Sequence, residues 1–355
     1  MSRRETTSRA VLDDVEPAAT DAPPKTVRTI RSIADASQFV TSALAKCTVG
    51  WAVDTLTINI QLPPIPPVIR SVLVLVPYLT DLTLLLPAET PPALLFNINF
   101  RVLKFFKTNL PHHILTSFLN RHRLVTILVL GPCGRSGGCP LAVGDFEHVT
   151  DLECEATCAK NLVHRRLRHL AIVGKSLRGP RIPAILRQVP VVASALYHLT
   201  MDFFPDDSDI LHAIHRFAPF LKKLRLVERR GGASRHGSSQ RRVFKDPLVW
   251  GQALRKLSYL EEFALKTSVD LVAFPGQLEL ERQVIFGWAY GVRVRKSRNL
   301  RPPPVRKAHP TLYHIRIYYG RTRDASVLSK WFKDGQVWLR LGQPITGDDL
   351  DDIDF

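Results

Sequence analysis

Long apolar runs are missing from this chain. The most apolar stretch, residues 68 to 86, is interrupted by Arg70, Pro77 and Asp81, so it never offers the roughly 18 unbroken apolar residues that a membrane span requires. No transmembrane helix and no membrane partner are expected. The first 26 residues contain no apolar core of the kind a secretory signal carries. Cysteine is scarce as well: Cys47, Cys133, Cys139, Cys154 and Cys158 are the only five, an odd number without the dense pairing of a secreted disulfide scaffold. These absences predict an intracellular protein of the cytoplasm or nucleus, held in a reducing compartment.

Acidic residues are absent from residues 283 to 323, where Arg293, Arg295, Lys296, Arg298, Arg301, Arg306, Lys307, Arg316, Arg321 and Arg323 accumulate. Over the whole chain 49 Lys and Arg stand against 32 Asp and Glu, a formal charge of +17, which favours anionic partners without bearing on fold. At 355 residues, 45% of them hydrophobic, the chain has ordinary globular composition and enough length to bury a core without disulfide staples.

One short pattern recurs: an apolar residue, two variable ones, an apolar residue, one variable, an apolar residue. The copies are Val53-Leu56-Ile58, Leu79-Leu82-Leu84, Phe100-Leu103-Phe105, Leu124-Ile127-Val129, Val149-Leu152-Cys154, Leu167-Leu170-Ile172, Leu196-Leu199-Met201, Leu221-Leu224-Leu226, Leu260-Phe263-Leu265 and Leu312-Ile315-Ile317. Their middle residues advance by 26, 21, 24, 25, 18, 29, 25, 39 and 52, and the first seven steps cluster near the period of leucine-rich repeats. The two long steps coincide with basic insertions, the second hiding a strand over residues 284 to 290.

Between copies the apolar period changes from two to about 3.6, which marks helices returning the chain to the next strand. Stripes of this kind are Phe39, Val40, Ala43 and Leu44; Ile114, Leu115, Phe118 and Leu119; Ile182, Ile185, Leu186 and Val189; Ile210, Leu211, Ile214 and Phe217; and Val249, Ala253, Leu254 and Leu257. Asp206, Asp207 and Ser208 offer caps for the fourth, and Asp246 followed by Pro247 opens the fifth. The expected fold is therefore an α/β leucine-rich-repeat-like solenoid, a horseshoe with parallel strands on its concave face and helices outside. Residues 1 to 28 are expected to be disordered. The solenoid should span residues 29 to 341, with basic insertions at about 229 to 245 and 291 to 309, and an acidic tail should close the chain at residues 342 to 355.

The runs Val76-Pro77-Tyr78-Leu79-Thr80-Asp81-Leu82-Thr83-Leu84 and Ala218-Pro219-Phe220-Leu221-Lys222-Lys223-Leu224-Arg225-Leu226, with Trp331-Phe332-Lys333-Asp334-Gly335-Gln336-Val337-Trp338 near the end, resemble the leucine-rich-repeat half of fungal F-box proteins. In that family the F-box docks on a Skp-type linker of a cullin ubiquitin ligase, and the repeats hold the protein to be ubiquitinated. The resemblance implies a substrate receptor, with Skp-type linker and cullin as partners where an F-box is present. Residues 1 to 28 carry no leucine-proline start followed by an apolar helix stripe, so the F-box is not recognisable. The nearest match, Leu110-Pro111-His112-His113-Ile114-Leu115, reads as a repeat helix.

Motifs of catalysis fail on context. Gly134-Arg135-Ser136-Gly137-Gly138 has the letters of a nucleophile elbow but follows Gly131-Pro132-Cys133 and precedes Cys139-Pro140, which leaves no tight strand-to-helix turn. Gly174-Lys175-Ser176 lacks the earlier glycine of a phosphate loop, since that position is His169. Among the cysteines only Cys154 and Cys158 approach zinc-knuckle spacing, Cys154 falls on an inward strand position, and His112-His113 read as a helix start. No enzyme, cofactor or metal site is expected.

Binding residues are then the variable strand positions that alternate outward: His169, His198, Asp202, Lys223, Arg225, Glu262, His314, Arg316 and Tyr318. They suit a protein ligand with an acidic epitope. The alternative is nucleic-acid or other polyanion binding through the basic sector, using Arg293, Arg295, Lys296, Arg298, Arg301, Arg306 and Lys307 with Trp288, Tyr290, Tyr313, Tyr318 and Tyr319 as stacking partners.

Overall fold

A computed structural model describes residues 25–61, 67–134, 138–143, 146–173, 181–189, 196–205, 207–229, 243–267, 271, 278–290, 308–320, 326–335 and 337–344. Within them thirteen strands form one open sheet whose spatial order is the chain order. The strands are β1 (Thr26–Ile30), β2 (Val53–Asn59), β3 (Asp81–Leu85), β4 (Phe105–Thr108), β5 (Ile127–Leu130), β6 (Asp151–Glu155), β7 (His169–Val173), β8 (His198–Phe203), β9 (Lys223–Glu228), β10 (Glu262–Thr267), β11 (His314–Gly320), β12 (Ser326–Asp334) and β13 (Val337–Pro344). The α-helices are α1 (Ile33–Ala45), α2 (Cys47–Trp51), α3 (Val68–Val74), α4 (His112–Arg121), α5 (Ala156–Leu162), α6 (Ile182–Gln188), α7 (Ile210–Phe217), α8 (Pro247–Lys256) and α9 (Leu278–Tyr290). β1 to β11 pair in parallel, and β12 and β13 close the sheet antiparallel.

The apolar triplets explain this register. Leu56, Leu82, Phe106, Leu128, Leu152, Leu170, Leu199, Leu224, Phe263 and Ile315 occupy one continuous row across ten strands. All are buried in the core that also takes the apolar stripes of the helices. Two residues ahead of that row runs a second, polar ladder. The amides of Thr80, Lys104, Thr126, Thr150, Arg168, Tyr197, Lys222, Glu261 and Tyr313 each donate to the carbonyl of the equivalent residue one strand back, starting from Asp54, at 2.8 to 3.1 Å. The amide and carbonyl of each ladder residue from Thr80 to Tyr313 are thus paired at the point where a loop enters the sheet, as burial demands.

Two copies take a different frame from the expected one. The row residue of β4 is Phe106, three positions after Leu103, and that of β5 is Leu128, one after Ile127. A one-residue slip exchanges the faces of a strand, and Ile127 and Leu124 accordingly face solvent while Val125 and Leu130 are buried. Residues 284 to 290 are helical, not a strand: they end α9, which buries Glu281, Ile285, Trp288 and Ala289 at helical spacing. Gly287 makes this possible, because a Cβ there would lie 2.2 Å from the Cβ of Pro247 at the start of α8. The closing strands depart from the all-parallel expectation because β12 and β13 are joined by a hairpin through Gly335, whose φ of 56° suits glycine.

Helix caps are mixed. Asp246 accepts from the Val249 amide at 3.2 Å as expected. Asp207 instead turns back to the Phe204 amide and to Arg181, and Asp209 occupies the cap position of α7 without a side-chain capping bond, its carboxylate accepting from Arg187 instead. β1 starts at Thr26, inside the segment expected to be disordered, and β13 extends to Pro344, past the expected boundary at 341. Residues 1–24, 230–242, 291–307 and 345–355 lie outside the described residues.

Candidate functional site

The helices cover one face of the sheet; on the other, alternate strand residues remain half-exposed, as in the pattern of β6 and β7. Pairing arranges the outward residues of β8 to β11 in rows. His198, Lys223, Glu262 and His314 form one, Thr200, Arg225, Ala264 and Arg316 the next, and Asp202, Val227, Lys266 and Tyr318 the third. Ala264 is the short side chain between two arginines, and around it opens a recess of about 380 Å³ lined by His169, Tyr197, His198, Lys223, Leu224, Arg225, Glu262, Ala264, Arg316 and Tyr318. Seven of the nine outward residues singled out from the sequence line it. Asp202 lies outside, paired with Arg229 at 3.1 Å, as does His314, stacked on Phe332 with ring centres 4.2 Å apart.

Glu262 organises the recess. Its carboxylate takes Lys223 Nζ at 2.8 Å and Arg316 Nη2 at 3.1 Å, with the Tyr313 hydroxyl donating at 3.4 Å. Burial works against its ionisation, but Lys223, Arg316 and His314 outweigh it and hold the carboxyl below its usual range. The bond to Glu262 raises the Lys223 pKa in return. The Arg225 guanidinium lies 5.8 Å from the centre of the Tyr318 ring, a cation–π distance. At one end His169 joins Asp151 to the Tyr197 hydroxyl through its two ring nitrogens. Three cations thus face one carboxylate in a half-enclosed space, which attracts an anionic group. Tyr197 and Ala264 escaped the sequence reading, one because it precedes the strand and the other because it is apolar at an outward position.

Both deep histidines of this face are neutral at pH 7. Burial, reinforced by His169, Lys223 and Arg225, pushes His198 down to about 4, and burial with Arg316 pushes His314 down to about 4. A histidine that binds its proton less readily when folded leaves the unfolded chain holding more protons between pH 6.5 and 4, so stability falls as pH falls through that window. Glu262, depressed in the fold, adds to the loss below its usual value. Urea midpoints measured from pH 7 to pH 4 are expected to decline steadily, and His198→Gln is expected to flatten the decline; an unchanged slope contradicts the assignment.

The basic sector does not assemble into a site among the described residues. Arg293, Arg295, Lys296, Arg298, Arg301, Arg306 and Lys307 lie outside them, as do Arg135 to Gly137 and Gly174 to Ser176. The stacking role proposed for the nearby aromatics fails for Trp288, which is fully buried between Trp250 and Phe263, and Tyr318 and Tyr319 are also largely covered. No described helix is long and apolar enough to cross a membrane.

A second constellation was not expected. His112, Cys133, Cys139 and Cys158 are all buried, with their ligand atoms within 4.8 Å of one another. Cys154, which the spacing paired with Cys158, is absent from this group: it points into the sheet core opposite Ile172, where burial pushes its thiol pKa up.

No protein-family model matches this chain, and no curated protein matches it.

Proposed function

We propose that this chain is a non-enzymatic protein-binding module, a leucine-rich-repeat-like α/β solenoid whose uncovered sheet face holds an acidic epitope of a protein ligand. The observation that carries this reading is the recess around Ala264, where Lys223, Arg225 and Arg316 converge with Glu262 as the one lining carboxylate. Parallel sheets are ordinarily covered on both faces, and a face left open along a series of stacked units is the surface such proteins use for recognition. A preorganised surface of this kind loses little entropy on binding, and its charge sets partner choice and association rate more than raw affinity. The resemblance to the substrate-binding half of fungal F-box proteins supports a protein as the ligand.

The test is selection of phage-displayed peptides against the purified full chain, followed by affinity measurement for the best synthetic peptide. The selected peptides are expected to be rich in Asp and Glu, and the double variant Lys223→Glu, Arg316→Glu is expected to weaken binding by about tenfold or more. Lys46→Glu, at the exposed end of α1, is expected to leave it unchanged. Selection without acidic bias, or charge reversal without effect, overturns the reading. Tight binding of a single-stranded oligonucleotide that collapses with added salt would instead favour the basic sector.

A further inference from the structure

We propose that His112, Cys133, Cys139 and Cys158 form a structural zinc site. The four residues come from three successive units of the sheet: His112 opens α4, Cys133 and Cys139 lie in the connection between β5 and β6, and Cys158 lies on α5. His112 Nδ1 is 3.2 Å from the Cys139 sulfur and 3.7 Å from the Cys158 sulfur. In a tetrahedral site with bonds of about 2.3 Å to sulfur and about 2.0 Å to nitrogen, ligand atoms stand roughly 3.5 to 3.8 Å apart. The whole cluster, spanning at most 4.8 Å, therefore closes on an ion with shifts of an ångström or less.

The second nitrogen of the histidine carries the argument further. His112 Nε2 lies 3.1 Å from the Gly131 carbonyl, and a carbonyl can only accept, so the proton resides on Nε2 and the Nδ1 lone pair faces the sulfurs. That is how a zinc-ligating imidazole is held in its tautomer and orientation. The carbonyl is itself fixed. The Gly131 amide donates to Thr108 at 2.7 Å, and the chain passes so close to Asn109 that a Cβ on residue 131 would lie 2.7 Å from its Cα. Three thiolates with one imidazole suit zinc over magnesium, calcium or manganese. Four protein ligands complete a tetrahedron with no open position, which is a structural and not a catalytic arrangement.

The location gives the ion a purpose. Most described connections between the parallel strands carry an α-helix, whereas the described part of the β5 to β6 connection, like that between β3 and β4, has only a short 3-10 turn, here Pro140–Val143. A metal bound by Cys133 and Cys139, both ahead of that turn, ties the connection to His112 on α4 and Cys158 on α5, and metal bound only by the folded chain is folding free energy.

Metal content of the full chain, purified under reducing conditions from zinc-supplemented medium, is expected to be about one zinc per molecule. Cys139→Ser and His112→Ala are expected to fall below about a tenth of that occupancy, while Cys154→Ser, an equally buried thiol outside the cluster, keeps it. Because a ligand variant can fail to fold, wild-type protein stripped with chelator is also titrated with cobalt(II). The visible bands of tetrahedral thiolate-bound cobalt should saturate at one equivalent, and the melting temperature should rise with it. Absence of metal from wild type in both experiments, iron in place of zinc, a disulfide among the three cysteines, or equal zinc loss in Cys154→Ser overturns the proposal.

Discussion

Replacing Trp250 by alanine is expected to destabilise the protein by about 3 to 5 kcal/mol, the cost of removing a large aromatic side chain from a packed interior. Trp250 is 1% exposed and stands at the centre of an aromatic cluster. Its ring centre lies 5.8 Å from Phe244, 6.3 Å from Phe203, 5.8 Å from Phe263 and 5.6 Å from Trp288. These rings come from β8, β10, α8, α9 and the short turn Val243–Lys245, so the indole joins the strand layer to the last two helices. Neighbours cannot collapse into the space because α8 and α9 are already in contact through their glycines: a Cβ on Gly251 would lie 2.2 Å from the Gly287 carbonyl oxygen. Unfolding in urea followed by circular dichroism should show the loss as a lower midpoint. Trp250→Phe should recover more than half of it, since most of the ring contacts survive. A loss below about 1 kcal/mol would mean that the cluster is not packed as described.

Removing Glu281 should have an effect of similar size. Glu281 is 5% exposed, and its carboxylate fastens α9 to the closing hairpin, accepting from the Trp331 indole at 2.8 Å and from the Ser329 hydroxyl. Arg340 lies 3.5 Å away and also donates to Ser329 at 3.1 Å. Glu281→Leu leaves the fully buried Ser329 hydroxyl without its acceptor and Arg340 without its counter-charge, while the indole N–H and the guanidinium keep Ser329 Oγ at 3.0 and 3.1 Å. Breaking a buried charged network from one side costs about 3 to 5 kcal/mol, and the partial exposure of Arg340 places this case toward the lower end. Glu281→Gln keeps an oxygen for Trp331 and should lose roughly half as much. Hydrogen exchange would locate the damage: faster exchange in β12 and β13 with β2 to β8 unchanged is expected, and uniform acceleration would count against a local clamp.

The sheet was legible in the sequence wherever one frame of the apolar triplet stood alone. Leu82, Leu199 and Leu224 each have polar neighbours at the outward positions, and each lies in the buried row. The run around Leu124 satisfies two frames a residue apart, and the one around Leu103 satisfies its correct frame poorly because the third position is Thr108. That threonine is buried and accepts from the Leu110 amide at 3.1 Å, so its polarity is met locally. What separates the frames is the polar ladder residue two places ahead of the row, Lys104 and Thr126 in these copies, which the apolar pattern ignores. The recess was largely legible for the same reason that the strands were, since alternation fixes which residues face outward. The cysteine cluster was not. Its members, His112, Cys133, Cys139 and Cys158, lie on three connections of the sheet that meet only because consecutive strands pair, while the pair at knuckle-like spacing, Cys154 and Cys158, is split between a strand and the helix after it.

The ladder of amides and carbonyls joins each strand only to those before and after it in the chain. With about 4.8 Å between strands, the ends of thirteen lie on the order of 55 to 60 Å apart along the sheet. Tension applied at those ends would act along the hydrogen bonds rather than across them. Each strand pair then opens in turn, like a zip, instead of a whole row shearing at once. The molecule should yield to pulling in a train of small extensions at low force, and the step with the greatest resistance should be the one at which chelated side chains, if zinc holds them, bridge three units together.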